Sequence, residues 1–129
     1  MNEISYPKAT LALAERRHRL APGPDDGFKA FSRAVFADGA LDRRTKELIA
    51  VAVAHVTQCP WCIQGHTRAA VRAGATSEQV IEAIWVAAEM RAGGAYAHST
   101  LALHALGDGA GEASGAPAGA PHPAHGSSG

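Results

Sequence analysis

Cys59 and Cys62 stand three residues apart, and His66 follows four residues after the second. They are the only two cysteines in a chain of 129 residues, and their spacing limits what they can do. Residues three, four and seven apart share one face of an α-helix, so both sulfurs and the imidazole are expected in one narrow sector. Pro60 disfavours the α region for the residue before it and itself suits the first helical position, where a missing N–H costs nothing. Cys59 is therefore the expected N-cap of a helix, and Cys62 its third residue. Both sulfurs then lie at the positive end of the helix dipole beside unpaired backbone N–H groups, which favours thiolate over thiol. In this geometry the Cα atoms are close enough to close a disulfide. His66, one turn beyond Cys62, can carry a proton to or from that sulfur directly or through one water. These residue types permit thiol nucleophilicity and reversible disulfide formation.

Other readings use the same residues. Two buried helix cysteines beside an ordinary polar histidine need no function. A zinc site would draw on Cys59, Cys62, His66 and His55, but no second C-x-x-C or H-x-x-x-H pair is present to complete a tetrahedron. A c-type haem needs His directly after the second cysteine, where Ile63 stands. The run Cys59-Pro60-Trp61-Cys62 looks like a glutaredoxin-type site. A thioredoxin-like fold needs a buried strand just before the motif, whereas Thr45 to Val56 reads as helix.

The elements that must hold these groups are all expected to be helical. Sustained period-2 alternation is missing, and Ala, Leu, Glu, Arg and Gln dominate the ordered part. Six helices are expected. The first runs from about Ala9 to Leu20 and stops before Pro22-Gly23-Pro24; the second opens after Asp25 or Asp26 and ends near Ala37. The third is capped by Asp42 and runs to about Val56. Its centre, Leu48 to Ala54, is apolar all round and is expected to be buried on every side. The fourth runs from Pro60 to a C′ residue at Gly74, and a Thr76/Gln79 capping box opens the fifth. Gly93-Gly94 marks an expected break before a sixth helix that ends near Leu106. Residues 1–107 are thus expected to form one helical domain. Residues 108–129, rich in Gly, Ala, Pro and His, bury too little surface to order and read as a disordered tail in which His122 and His125 are solvated.

Lys and Arg number 12 against 12 Asp and Glu, which argues against the dense basic face of a nucleic-acid binder. No apolar run approaches the roughly 20 residues that span a bilayer. The apolar stretch from Ala9 to Ala14 runs straight into Glu15, Arg16 and Arg17, unlike a signal peptide. A lone C-x-x-C suits a reducing compartment, so a cytoplasmic protein is expected. Among the carboxylates, Glu47 stands at the start of the third helix, where a favourable interaction with the helix dipole accounts for it. Glu15, Glu78, Glu82 and Glu89 read as solvated helix residues, and His98 and His104 as surface or satisfied core positions.

The stretch L-D-R-R-T-K-E-L-I-A-V-A-V-A-H-V-T-Q-C-P-W-C-I-Q-G-H-T-R-A-A-V-R-A-G-A-T, continuing through E-Q-V-I-E-A-I-W-V-A-A-E-M-R-A-G-G-A, resembles the alkylhydroperoxidase D / carboxymuconolactone decarboxylase family. The resemblance covers roughly Phe28 to Leu106. The family pattern of Glu, a C-x-x-C twelve residues on and His four residues further is matched by Glu47, Cys59, Cys62 and His66. This resemblance implies an all-α fold assembling as trimers or hexamers, and a proton relay from Glu47 through His66 to Cys62. Trp61 departs from the His or Tyr that relatives carry beside the second cysteine, so substrate shape does not transfer. Decarboxylases of the family lack the cysteine pair, so its retention favours the redox branch. The expected activity is reduction of a small hydroperoxide: Cys62 attacks, Cys59 resolves, and a lipoyl- or thioredoxin-type dithiol restores the thiols. It requires no metal or flavin. A zinc- or redox-responsive binding module and a decarboxylase-like lactone enzyme are the alternatives. Helix physics by itself nominates Cys59 as the attacking sulfur, and the resemblance nominates Cys62.

Overall fold

The computed structural model of the protein describes residues 6–109 and 111–113, and every regular element among them is α-helical. Helix α1 spans Leu11–Leu20, α2 Pro22–Phe36, α3 Arg43–Thr57, α4 Pro60–Arg72 and α5 Ser77–Leu106. The chain divides into two units, Met1–Gly94 and Ala95–Gly129; all packing discussed below lies within the first. Most of the expected tail, including His122 and His125, lies outside the described residues.

Several boundaries follow directly from local chemistry. The Thr10 hydroxyl caps α1 by accepting from Leu13 N–H at 3.3 Å. Asp42 caps α3 by accepting from Thr45 N–H at 2.8 Å, and the Asp38 carboxylate accepts from Arg43 N–H at 2.7 Å. Helix α4 stops in a turn whose N–H groups at Gly74 and Ala75 return to the carbonyls of Val71 and Ala70. Gly74 takes φ 100° there, a conformation open to glycine and costly for other residues. The Thr76/Gln79 box is reciprocal: each side chain bonds the other's backbone N–H, at 3.1 and 3.0 Å.

Three expectations need correction. There are five helices among the described residues, because α5 continues through Gly93 and Gly94. Interior glycines cost roughly 1 kcal/mol each relative to alanine but leave helical dihedrals accessible, and the Ala-rich flanks on both sides sustain the helix. Second, α2 begins at Pro22, not after Asp25 or Asp26. The first-turn N–H groups of a helix have no intrahelical acceptor, so Pro22 and Pro24 fit inside it without losing a bond. Third, α3 is not buried on every side within the chain. Glu47, Val51 and Ala54 are buried along one stripe, whereas Ile49 and Val53 are about half exposed, at 48% and 52%.

The core centres on Val51, Ala70, Ala75 and Val80, with Leu48 and Ile84 packed against it. Alanine at position 70, fully buried, lets α4 lie close on α3, the most extensive helix pair in the fold. Only Gln58 and Cys59 separate these helices. The reversal is made by Gln58 in the left-handed region (φ 57°), while Cys59 N–H returns to the Ala54 carbonyl at 3.2 Å. That reversal sets the cysteine pair at the end of the hairpin.

Acid stability checks the α3 cap. The backbone N–H and hydroxyl of Thr45 hold the Asp42 carboxyl below its ordinary value. Its contribution to stability is therefore complete above the unfolded carboxyl pKa and is lost as pH falls through the lower folded value. Asp42→Asn keeps a capping oxygen without a titrating group. Thermal melts between about pH 5 and pH 2 are expected to show a shallower acid limb for Asp42→Asn than for the parent protein.

Candidate active site

Helix α3 brings Glu47 into the interior at 2% exposure. A buried carboxylate needs a partner, and α4 provides one: Glu47 Oε2 and His66 Nδ1 are 2.7 Å apart. Arg43, one turn earlier on α3, places its Nε 3.9 Å from the other carboxylate oxygen. The His66 ring stacks on Phe36 of α2, with centroids 5.0 Å apart and planes at 25°. Hydrogen bond and stack together fix the imidazole on two sides. With Glu47 ionised, Nδ1–H donates to it, and Nε2 is the ring atom left to exchange protons.

Cys59 and Cys62 are joined as a disulfide with their Cα atoms 5.2 Å apart. Cys59 is the N-cap of α4, and its Sγ accepts from the Cys62 N–H at 3.3 Å. Both cysteines are half-buried. Between them, the Trp61 indole N–H donates to the Pro7 carbonyl at 3.0 Å. Tyr6 meets the same indole edge-on, with centroids 5.1 Å apart, so the segment before α1 is pinned to the motif.

A cavity of about 680 Å³ opens between α2, α3 and α4. Glu47, Cys62 and His66 all line it; Cys59 is absent from its wall. Phe28, Phe36 and Trp61 supply apolar wall, and Arg33 and Arg43 supply positive charge. The arrangement offers a sulfur, a histidine held by a buried carboxylate, and a space of the size that takes small molecules.

All four residues singled out in the sequence thus meet here, Cys59 through its bond to Cys62. The dipole account of Glu47 fails: it is the fifth residue of α3, beyond the first turn, and its carboxylate is buried against His66 of α4. His55 is elsewhere engaged, its Nδ1 lying 2.7 Å from the Val51 carbonyl, and does not join the cysteines as a ligand set. Among the described residues the group with ligand atoms within 4.8 Å is His18, Asp25 and Asp26; Lys29 Nζ, 2.9 Å from Asp25, already supplies a cation there. Sequence reasoning missed Phe36, Arg33 and Arg43. Arg43 was readable as the i−4 neighbour of Glu47. Phe36 and Arg33 reach the site only through the approach of α2, which no local spacing encodes.

Comparison with known proteins identifies the family and the fold. A family model described as the carboxymuconolactone decarboxylase family matches residues 22–105. The chain is 66% identical over 106 residues to uncharacterized protein 4 in the cox locus of Paracoccus denitrificans, covering 82% of this chain and 95% of that one. It is 37% identical over 82 residues to a protein of Cupriavidus necator, covering 64% and 73% respectively. Two solved structures share the fold. One is a carboxymuconolactone decarboxylase family protein from Legionella pneumophila, with a TM-score of 0.59 at 38% identity over 61% of this chain and 70% of that one. The other, from Methanobacterium thermoautotrophicum, has a TM-score of 0.62 at 35% identity over 66% and 96%.

The Glu47–His66 bond is expected to be structural as well as chemical. His66→Ala leaves the buried carboxylate without its closest partner, a loss on the order of 1–3 kcal/mol. Urea denaturation should show this loss, and His66→Gln, which keeps a donor, should recover part of it.

Proposed function

Because this chain belongs to the carboxymuconolactone decarboxylase family, we propose that it acts in the redox branch of that family, as a thiol-dependent hydroperoxide reductase. The observation that carries this reading is the Cys59–Cys62 disulfide beside a cavity whose wall also holds the buried Glu47–His66 pair. Decarboxylase-like chemistry has no use for the sulfurs, so loss of both cysteines separates the two readings.

In the reduced protein, Cys62 gives its thiol proton to His66 Nε2, while Glu47 holds Nδ1–H and stabilises the imidazolium. The thiolate attacks the terminal peroxide oxygen. The O–O bond breaks, Cys62 becomes a sulfenic acid, and the departing alkoxide takes the proton from His66 to leave as an alcohol. The Cys59 thiol then attacks the Cys62 sulfur, water leaves, and the disulfide forms. An external dithiol of lipoyl or thioredoxin type returns two electrons and two protons by exchange through a mixed disulfide. Cys62 is assigned as the attacking sulfur because it shares the cavity wall with His66. The cap position helps both sulfurs, whereas a general base helps the one within its reach.

The functional unit is proposed to be a homo-trimer or hexamer. Ile49 and Val53 on α3, and Ile81 and Trp85 on α5, present exposed apolar surface of the kind that subunit contacts cover. Ile84 beside them is half-buried and packs against the chain's own core. Sedimentation is expected to give an assembly larger than a monomer at micromolar concentration; a monomer would contradict this part of the reading.

The catalytic assignments are tested by peroxide consumption with a panel of dithiols. Glu47→Gln should lower turnover by roughly 10²-fold or more, the scale of general acid–base catalysis, with the helical fold intact. Cys59→Ser should consume one peroxide and stop at a sulfenic acid on Cys62, trapped by a dimedone-type reagent; Cys62→Ser should consume none. Label on Cys59 in the Cys62→Ser protein, with none on Cys62 in the Cys59→Ser protein, would reverse the two roles.

A further inference from the structure

We propose that the cavity beside Cys62 selects anionic substrates, namely hydroperoxides that carry a carboxylate, which it holds through the guanidinium groups of Arg33 and Arg43. The reacting group rests on the peroxidase reading above; the inference adds what the rest of the substrate must look like.

The cavity wall carries an excess of positive charge in a confined place. The chain as a whole has a formal net charge of zero, yet the ionic groups on the cavity wall are two guanidiniums and one carboxylate. That carboxylate is already engaged, 2.7 Å from His66 and 3.9 Å from Arg43 Nε. Arg33 has no carboxylate within ion-pair distance among the described residues. One positive charge is therefore left over, and it faces a space of about 680 Å³ instead of a counter-ion. Phe28, Phe36 and Trp61 flank it with low-polarity surface, which focuses the field of a charge in a cleft.

The two guanidiniums come from different helices. Arg33 lies three residues before Phe36 on α2, and Arg43 one turn before Glu47 on α3. A carboxylate matches the geometry of a guanidinium fork, and the aromatic side chains suit an apolar body between the carboxylate and the peroxide. Both arginines are solvent-exposed, Arg43 with 62% of its side chain accessible, so both are open to a substrate arriving from solvent. A neutral peroxide would use the apolar wall alone.

The test compares cumene hydroperoxide with its para-carboxylate derivative, using the full chain and one dithiol. The carboxylate is expected to have a kcat/KM roughly tenfold higher at low ionic strength, the scale of one charge-assisted hydrogen bond, with the ratio shrinking as salt is added. Arg33→Gln and Arg43→Gln should each bring the ratio toward one. Arg19→Gln, which removes the same charge from α1, should leave the ratio as it is. A ratio near one in the parent protein, a ratio that survives Arg33→Gln, or an equal loss in Arg19→Gln would overturn the proposal. If neither peroxide is consumed, the peroxidase reading fails and the anion site is judged by binding. Trp61 fluorescence in the Trp85→Phe protein is then titrated with 4-isopropylbenzoate and with 4-isopropylbenzyl alcohol. Saturable quenching by the carboxylate alone, weakened in Arg33→Gln, supports the site; equal quenching by both, or none, overturns it.

Discussion

Glu47 is the point on which the arrangement turns. A carboxylate at 2% exposure is stable only if its charge is met inside the protein, and the group that meets it stands 19 residues away on the next helix. The bond therefore sets the register of α4 against α3. Cys62 is one turn before His66, so fixing the imidazole also fixes the level at which the sulfur meets the cavity. Phe36 closes the other face of the ring and draws α2 into the same constraint. Three helices are held in place around one hydrogen bond.

The cysteine pair sits where backbone chemistry is least settled. A helix N-terminus leaves N–H groups without partners, and here one of them, from Cys62, is directed at the Cys59 sulfur. Just before the pair, Gln58 adopts a left-handed conformation that costs a residue with a Cβ roughly 1–2 kcal/mol. The tight reversal keeps the motif at the tip of the hairpin, half-buried and within reach of solvent. The proposed cycle needs both properties, since a peroxide and then a bulkier dithiol must reach the sulfurs in turn.

Trp61 links the motif to the segment before α1. Its indole is held by the Pro7 carbonyl and the Tyr6 ring, and it forms part of the cavity wall. A change in the segment before α1 can therefore alter the site without touching a reacting group. No local pattern around Trp61 announces this contact, because its partner lies 54 residues earlier.

What nearest-neighbour chemistry controls could be read from the residue order. Asp42, Thr76 with Gln79, Gly74 and the Pro60 start of α4 all specify helix ends through bonds made within a few residues, and each was legible. So was the sharing of one helix by Cys59, Cys62 and His66, which periodicity dictates. Glu47 was legible as a member of the set only through the family resemblance; its local surroundings suggested a dipole-favouring residue and nothing more. The prolines at the start of α2 and the glycines within α5 misled because a residue's preference is an average, and helix position or helical flanks can overrule it. Burial and the neighbours each side chain meets came from the packing of helices. Packing α4 and α2 onto α3 turned the fifth residue of α3, Glu47, into a buried partner for His66, brought Phe36 and Arg33 to the cavity wall that Cys62 shares, and left Ile49 and Val53 uncovered. Those outcomes depend on contacts between helices, whose energies come from surfaces that meet only once the chain has folded.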